Sequence, residues 1–150
     1  MTALGVSISI KQGRPRLQCV RAASAAIEVP DLTQVLDYWA SLGDDEVLQL
    51  RGLAASIESL LVSESVSAAV VRRMDWTGTA KREIVAKRGQ AEGVVAAALR
   101  IRVEQCRLAS GKEIGELCGR SKAEIEMVTA TALSGDWKEA GAAAIAAAQL

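Results

Sequence analysis

The chain has 150 residues, half of them apolar, and its 18 basic and 18 acidic side chains cancel to a formal net charge of zero. One domain spanning residues 1–150 is expected, long enough to bury roughly two-thirds of its unfolded surface, and the neutral balance confines any nucleic-acid contact to a local patch. Histidine is absent, which excludes Ser-His and Cys-His nucleophiles, imidazole bases and ordinary zinc sites, leaving only hard cations held by carboxylates as candidate metals.

No basic leader precedes a long apolar run at the N-terminus, so no signal peptide is expected. Leu4, Val6, Ile8 and Ile10 alternate with Gly5, Ser7 and Ser9, the period-two pattern of a strand over 3–11. Gln12-Gly13 reads as a turn and Arg16 to Arg21 as the returning strand of a hairpin. Ala25 to Val29 reads as a third strand ended by Pro30, so the chain opens as an antiparallel meander. After Pro30 the spacing becomes helical: Asp31 suits an N-cap, and Leu32, Val35, Leu36 and Trp39 form a stripe running to Gly43. Asp44 or Asp45 starts another helix with Val47, Leu50, Leu53, Ala54, Ile57, Leu60 and Leu61 at helical spacing. Ala68 to Val71 reads as a buried strand and Met74 to Gly78 as a loop. One long helix over 79–104 should bury Ile84, Ala91, Val95, Ala98 and Leu99. A brief strand, Cys106 to Ala109, precedes three short helices, Lys112 to Cys118, Ser121 to Leu133 and Trp137 to Ala148, with Gly119 and Gly135 where C-caps belong.

The predicted fold class is therefore α/β: a mixed five-stranded sheet, a meander followed by two parallel strands, flanked by helices. Aromatics are only 3% and Phe is absent, so the core must be built from Ala, Val, Leu and Ile. Cys19, Cys106 and Cys118 form neither a disulfide framework nor a zinc signature, and they read as reduced, buried thiols in a cytoplasmic protein. No uncharged apolar run reaches about 18 residues, so no membrane partner is expected.

The second half carries sharper signals. The stretch Arg88-Gly89-Gln90-Ala91-Glu92-Gly93-Val94-Val95-Ala96-Ala97-Ala98 resembles the Gly-Gln-Ala-Arg-Gly-Val helix of RuvC-type Holliday-junction resolvases. Gly111-Lys112-Glu113-Ile114 matches the family's short Val-Lys helix, and Gly119 to Val128 its Gly-x-Ala-x-Lys-x-Gln-Val-x-x-Met-Val stretch. Asp136 to Ala146 resembles the family's final helix, and Leu4-Gly5-Val6-Ser7 its Leu-Gly-Ile-Asp opening. These matches run in order along most of the chain and imply a ribonuclease H-like fold. Gly89, Gly93 and the following Ala residues are also expected to make a narrow helix face that lies close on the sheet.

The resemblance implies a site. In the family four carboxylates hold two magnesium ions that clamp the attacking water and the leaving oxygen. At the first-strand position this chain has Ser7; at the fourth-strand position it has Arg72 or Met74, with Asp75 adjacent but on the opposite side if the strand continues. On the last helix Glu139 stands at the first acid position and Ala142 at the second. The acids are thus expected to be mostly lost, with an arginine in the site and no metal-binding set, since two divalent ions need more negative charge than remains. Magnesium or manganese enters only with the alternative reading, a structure-selective nuclease using a displaced set, Asp75, Glu92, Asp136 and Glu139.

Residues 72–88 hold Arg72, Arg73, Lys81, Arg82, Lys87 and Arg88 against Asp75 and Glu83, six cations to two acids and a local net of +4. With Trp76 in the intervening loop as a base-stacking side chain, this is the candidate DNA- or RNA-binding patch. Lys112 with Glu116, and Glu124 with Glu126, read as exposed helix charge; Trp39, Tyr38 and Trp137 read as packing residues. Gly111-Lys112 lacks phosphate-loop spacing around it. The leading expectation is a catalytically degenerate RuvC-like domain serving as a nucleic-acid-binding or regulatory module. Besides the nuclease, a homodimerisation or protein-interaction domain remains open, its face made by the Ala-rich last helix and the helix after Pro30.

Overall fold

The computed structural model describes residues 2–75 and 78–150. Gln12 and Gly13, both at positive φ (54° and 77°), make the two-residue turn between β1 (Thr2–Lys11) and β2 (Arg14–Ala22). That geometry matches the right-handed twist of the paired strands, and it sets a register in which Lys11 faces Arg14 and Ser7 faces Gln18. β3 (Leu32–Trp39) adds antiparallel to β2, while β4 (Val66–Arg72) and β5 (Gln105–Ala109) add parallel on the other side of β1, giving the order β3-β2-β1-β4-β5. The expected sheet, a meander plus two parallel strands, is the observed one.

Its third strand is not where the sequence suggested. Residues 25–29 form a loop whose Ile27 packs on the core, and the segment read as a helix after Pro30 is β3 itself. The register slips between Cys19 and Val20: Cys19 faces Leu36 but Val20 faces Gln34, so Val35 is an extra residue. Such a bulge flips the side-chain parity of the strand. Leu32 therefore packs on one face of the sheet while Leu36 and Tyr38 pack on the other, a spacing that mimics a helical stripe.

α1 (Glu46–Ser63), capped by the Asp45 side chain on Leu48 N–H at 2.9 Å, and α2 (Arg82–Arg100) cover one face of the sheet. Leu4, Val6, Ile8, Leu17, Cys19, Ala69 and Val71 meet Leu53, Ile57, Ala91, Val95 and Leu99 there. The opposite face is covered by α5 (Lys138–Ala147), backed by α3 (Gly111–Leu117) and α4 (Lys122–Ala132), whose N-termini are capped by Ser110 and Ser121. A 3-10 turn, Gly135–Trp137, leads into α5. Gly135 thus opens a turn instead of closing α4, whereas Gly119 takes the expected left-handed position after α3 at φ 64°.

Close helix-on-sheet packing occurs at α5 and not at α2. A Cβ on Gly5 would lie 2.0 Å from Ala144 N and 2.1 Å from Ala140 O, so β1 and α5 touch backbone to backbone. Gly89 and Gly93 face open space, and α2 packs through Ala91, Val95, Ala98 and Leu99, with Ile84 exposed. α5 is buried from Ala140 to Ala147, so it offers no homodimer face, and the helix that was to complete one is a strand. Among the described residues no helix is long and apolar enough to cross a membrane.

Candidate functional site

Strand register brings the site together. Val6 of β1 pairs with Val71 of β4, and both enter the α1/α2 core. One residue further along each strand, Ser7 and Arg72 therefore point to the α5 face. The strand stops at Arg72, so the parity that would have turned Asp75 away no longer applies. Asp75 instead folds back, and the Arg72 guanidinium grips it with two parallel hydrogen bonds, Nη1 to Oδ1 at 3.1 Å and Nη2 to Oδ2 at 2.9 Å. Nη1 also donates to Arg73 O at 2.7 Å. The Arg72 side chain is 3% exposed, and Glu126 Oε1 of α4 and Glu139 Oε1 of α5 each lie 3.8 Å from Nη2.

Asp75 and Glu139 have further partners. Asp75 accepts from Lys122 Nζ at 2.7 Å and from the Gly111 backbone N–H at 3.2 Å. Glycine is needed at 111, where a Cβ would fall 2.7 Å from the Lys122 stem and 2.8 Å from Arg72 Nη2. Glu139 Oε2 accepts from Ser7 Oγ at 3.0 Å and Arg88 Nη2 at 3.4 Å. Glu92 is buried in α2, accepts from Met74 N–H through both oxygens (3.0 and 3.2 Å), and lies 3.5 Å from Arg88 Nε. Arg72, Arg88 and Lys122 thus face Asp75, Glu92, Glu126 and Glu139, a nearly self-neutralised centre. Ala142, one turn beyond Glu139, is part of the apolar core.

The titration behaviour follows from these contacts. The Arg72 hydrogen bonds hold the Asp75 carboxyl well below the usual carboxylate range; burial opposes them, and Lys122 and the Gly111 N–H reinforce them. Burial by itself would lower the Arg72 pKa, but the Asp75 hydrogen bonds and the charges of Glu139, Asp75 and Glu126 leave it raised. Glu92 goes the other way: burial pushes its carboxyl up, only partly offset by the Met74 N–H and the nearby arginines.

The structure therefore joins Ser7, Arg72, Asp75 and Glu139 directly and brings Met74 in through its backbone, but it departs from the displaced acid set. Asp136 is 68% exposed and pairs with Arg16 at 3.5 Å, away from Arg72. Its place is taken by Glu126, which reads in sequence as an exposed helix charge. Among the described residues no group of three or more His, Cys, Asp or Glu side chains is arranged to hold a metal. Lys122 and Glu126, four apart on α4, share a face; that spacing was the available signal, but it is equally that of a surface ion pair. Glu124 and the Lys112–Glu116 pair are exposed as expected.

The basic stretch divides. Arg72 is buried, so it presents no charge to a phosphate, and Arg88, whose side chain is 12% exposed, is committed to Glu92 and Glu139. Arg73 is half-exposed and pairs with Glu113. Lys81 and Arg82 are exposed, and among the described residues no carboxylate lies within ion-pair distance of them. Lys87 Nζ reaches the hairpin turn, 3.3 Å from Gly13 O. Trp76 lies outside the described residues.

No protein-family model and no curated protein match this sequence. Solved structures do. RuvC from Thermus thermophilus superposes with a TM-score of 0.71 at 15% identity, over 99% of this chain and 94% of that one. T. thermophilus RuvC in complex with Holliday junction substrate superposes with a TM-score of 0.68 at 17% identity, over 97% and 92% of the two chains. With superposition over nearly the whole of both chains and its own mixed five-stranded sheet flanked by helices, this protein has the RuvC-like, ribonuclease H-like fold.

Proposed function

We propose that this RuvC-like domain binds nucleic acid, as a recognition or regulatory module, without cleaving it by the two-metal route. The observation that carries the reading is the position of the Arg72 guanidinium. It lies within 3.8 Å of Asp75, Glu126 and Glu139, where a carboxylate-held cation would have to sit. The residues present do not fit two divalent ions: their four acids already face three fixed cations, and Ser7 and Ala142 bring no charge. An Mg²⁺ ion placed beside the guanidinium would set its double positive charge against a fixed cation instead of gaining ligands.

Support for binding comes from two sources. A relative in fold was solved in complex with Holliday junction substrate. Here Lys81 and Arg82 at the start of α2 and Lys87 one turn on have no carboxylate within ion-pair distance among the described residues. Phosphate contact of this kind is sequence-independent and salt-sensitive.

Fluorescence anisotropy with four-way junction, duplex and single-stranded DNA and RNA tests the reading, alongside incubation of the junction with Mg²⁺ or Mn²⁺. Expected are affinity falling with added salt and intact strands. No salt-sensitive binding to any of these would overturn the binding reading; metal-dependent strand cleavage would overturn the non-cleaving part.

A further inference from the structure

Trp39 ends β3 and packs on neither core, unlike Tyr38 beside it and the buried Trp137. Its half-buried ring is covered instead by two guanidinium groups, Arg14 Cζ at 4.7 Å and Arg16 Cζ at 4.8 Å from the centroid. The two arginines play different parts. Arg16 is neutralised by a two-pronged grip on Asp37, both bonds 2.9 Å, and by Asp136 at 3.5 Å, so it fixes the ring. Arg14 has no carboxylate within ion-pair distance among the described residues. Its contact is one hydrogen bond, Nη1 to Ala40 O at 3.5 Å, and its Nε is buried without a partner. Its charge is unspent.

More free charge gathers beside it. Lys11, exposed, faces Arg14 across the turn, and Lys87 of α2 reaches Gly13 O at 3.3 Å. These groups border the β1–β2 turn at one end of the sheet. Of the acids, Asp37 and Asp136 are both engaged with Arg16; Glu83 is in the first turn of α2, and Asp45 caps α1 with Asp44 beside it in sequence. Among the described residues none of Lys11, Arg14 and Lys87 has a carboxylate at ion-pair distance, so free charge gathers at the turn beside the guanidinium-covered indole.

We propose that the Arg14 guanidinium, backed by the Trp39 ring, forms a stacking site for an unpaired nucleotide, with Lys11, Arg14 and Lys87 neutralising the adjoining phosphates. This rests on the nucleic-acid-binding reading and specifies its ligand. A guanidinium plane backed by an indole stacks on the flat face of a base, which a duplex hides and a single strand or a frayed junction offers. Three cations span a short run of single strand, whereas a duplex-binding module typically contacts more phosphates.

The test uses the full chain with three labelled probes: a short single strand of about 12 nucleotides, within the span such stacking surfaces cover, its duplex, and a four-way junction. Single-strand binding should show a log–log salt slope of about −2, from about 0.7 per neutralised phosphate, and Arg14→Ala or Lys87→Ala should lower it by about 0.7. Trp39→Leu should weaken single-strand binding about tenfold or more, and Trp39→Phe should restore most of it. Melting curves of each variant separate lost binding from lost fold. If the wild type binds nucleic acid but all four variants bind alike, the stacking site is wrong and the wider reading stands. If duplex outcompetes single strand, the unpaired-base assignment is wrong. If no probe binds in a salt-dependent way, the wider reading fails first.

Discussion

Replacing Arg72 by methionine keeps the bulk of the side chain and removes the charge. Asp75, Glu126 and Glu139 would then face one another around an apolar thioether, with only Lys122, Ser7, Arg88 and the Gly111 N–H left to satisfy them. Removing one partner of a buried ion pair costs about 3–5 kcal/mol. The acids here are 17–32% exposed, so water can partly solvate them; the lower end, about 3 kcal/mol, is expected. For a chain of this size that lowers Tm by about 6–12 °C. The cost depends on pH with a definite sign. Asp75 has a depressed folded pKa, so its pairing contributes stability above the unfolded value, about 3.9, and loses it as pH falls through the lower folded value. The gap between wild type and Arg72→Met should therefore be widest near neutrality, begin to narrow below about pH 4 and close only towards the lower folded value. Urea titrations at several pH values, with unchanged m-values, measure it. A loss under about 1 kcal/mol at neutral pH, or a gap that does not narrow in acid, would refute the reasoning.

Three further outcomes follow from other contacts. Gly5→Ala would drive a Cβ into the α5 backbone at Ala144 N and Ala140 O, so thermal melts should show a loss of about 3 kcal/mol; a change within 0.5 kcal/mol, about the scatter of surface substitutions, would contradict the backbone contact. Glu92→Gln retains an acceptor for Met74 N–H while removing a carboxyl whose folded pKa is raised. Wild-type stability relative to this variant should fall as pH rises through that raised pKa, and a difference constant across pH would count against it. Burial holds the Cys19 thiol far above its usual pKa and pushes Cys118 up to about 11. Thiol-reagent labelling of the native protein should therefore be slow at both, and rapid only on unfolding; prompt native labelling of Cys19 would place it outside the core.

What the sequence made legible was local. Alternation along residues 3–11, the Gln12-Gly13 turn, a helix start at Asp44 or Asp45 and the apolar run before Arg72 each follow from a few neighbouring residues, and the structure has each of them, with Asp45 as the cap. Two kinds of information lay beyond that reach. The Val35 bulge in β3 exists because β2 is there to pair with, and by shifting parity it disguised a strand as a helix. Glu126 became part of the centre because α4 is folded against the end of β4, a contact spanning more than fifty residues that no local pattern encodes. The glycines repeat the point. Gly89 and Gly93 sit in the more suggestive motif, but Gly5, in an ordinary alternating strand, is where two backbones meet.

The buried arginine also bears on how any loss of nucleic-acid binding should be interpreted. Arg72 touches no phosphate, since its side chain is 3% exposed. Yet its charge balances carboxylates that Ser7 and Arg88 also contact. Removing it leaves the centre more negative, and an approaching backbone phosphate meets repulsion that salt screens within a Debye length of about 8–10 Å. Arg72→Met should thus weaken binding at low salt and converge on the wild type as salt rises, although no counterion-releasing contact was deleted. An exposed cation that does meet a phosphate, such as Lys81 or Lys87, behaves differently: its removal lowers the salt slope by about 0.7–0.9 and costs little stability. Salt titrations and urea melts of the same variants therefore separate the two roles. If Arg72→Met lowered the slope by a full phosphate while leaving stability intact, the guanidinium would belong to the binding surface, and its assignment as the internal counterion of the carboxylates would fall.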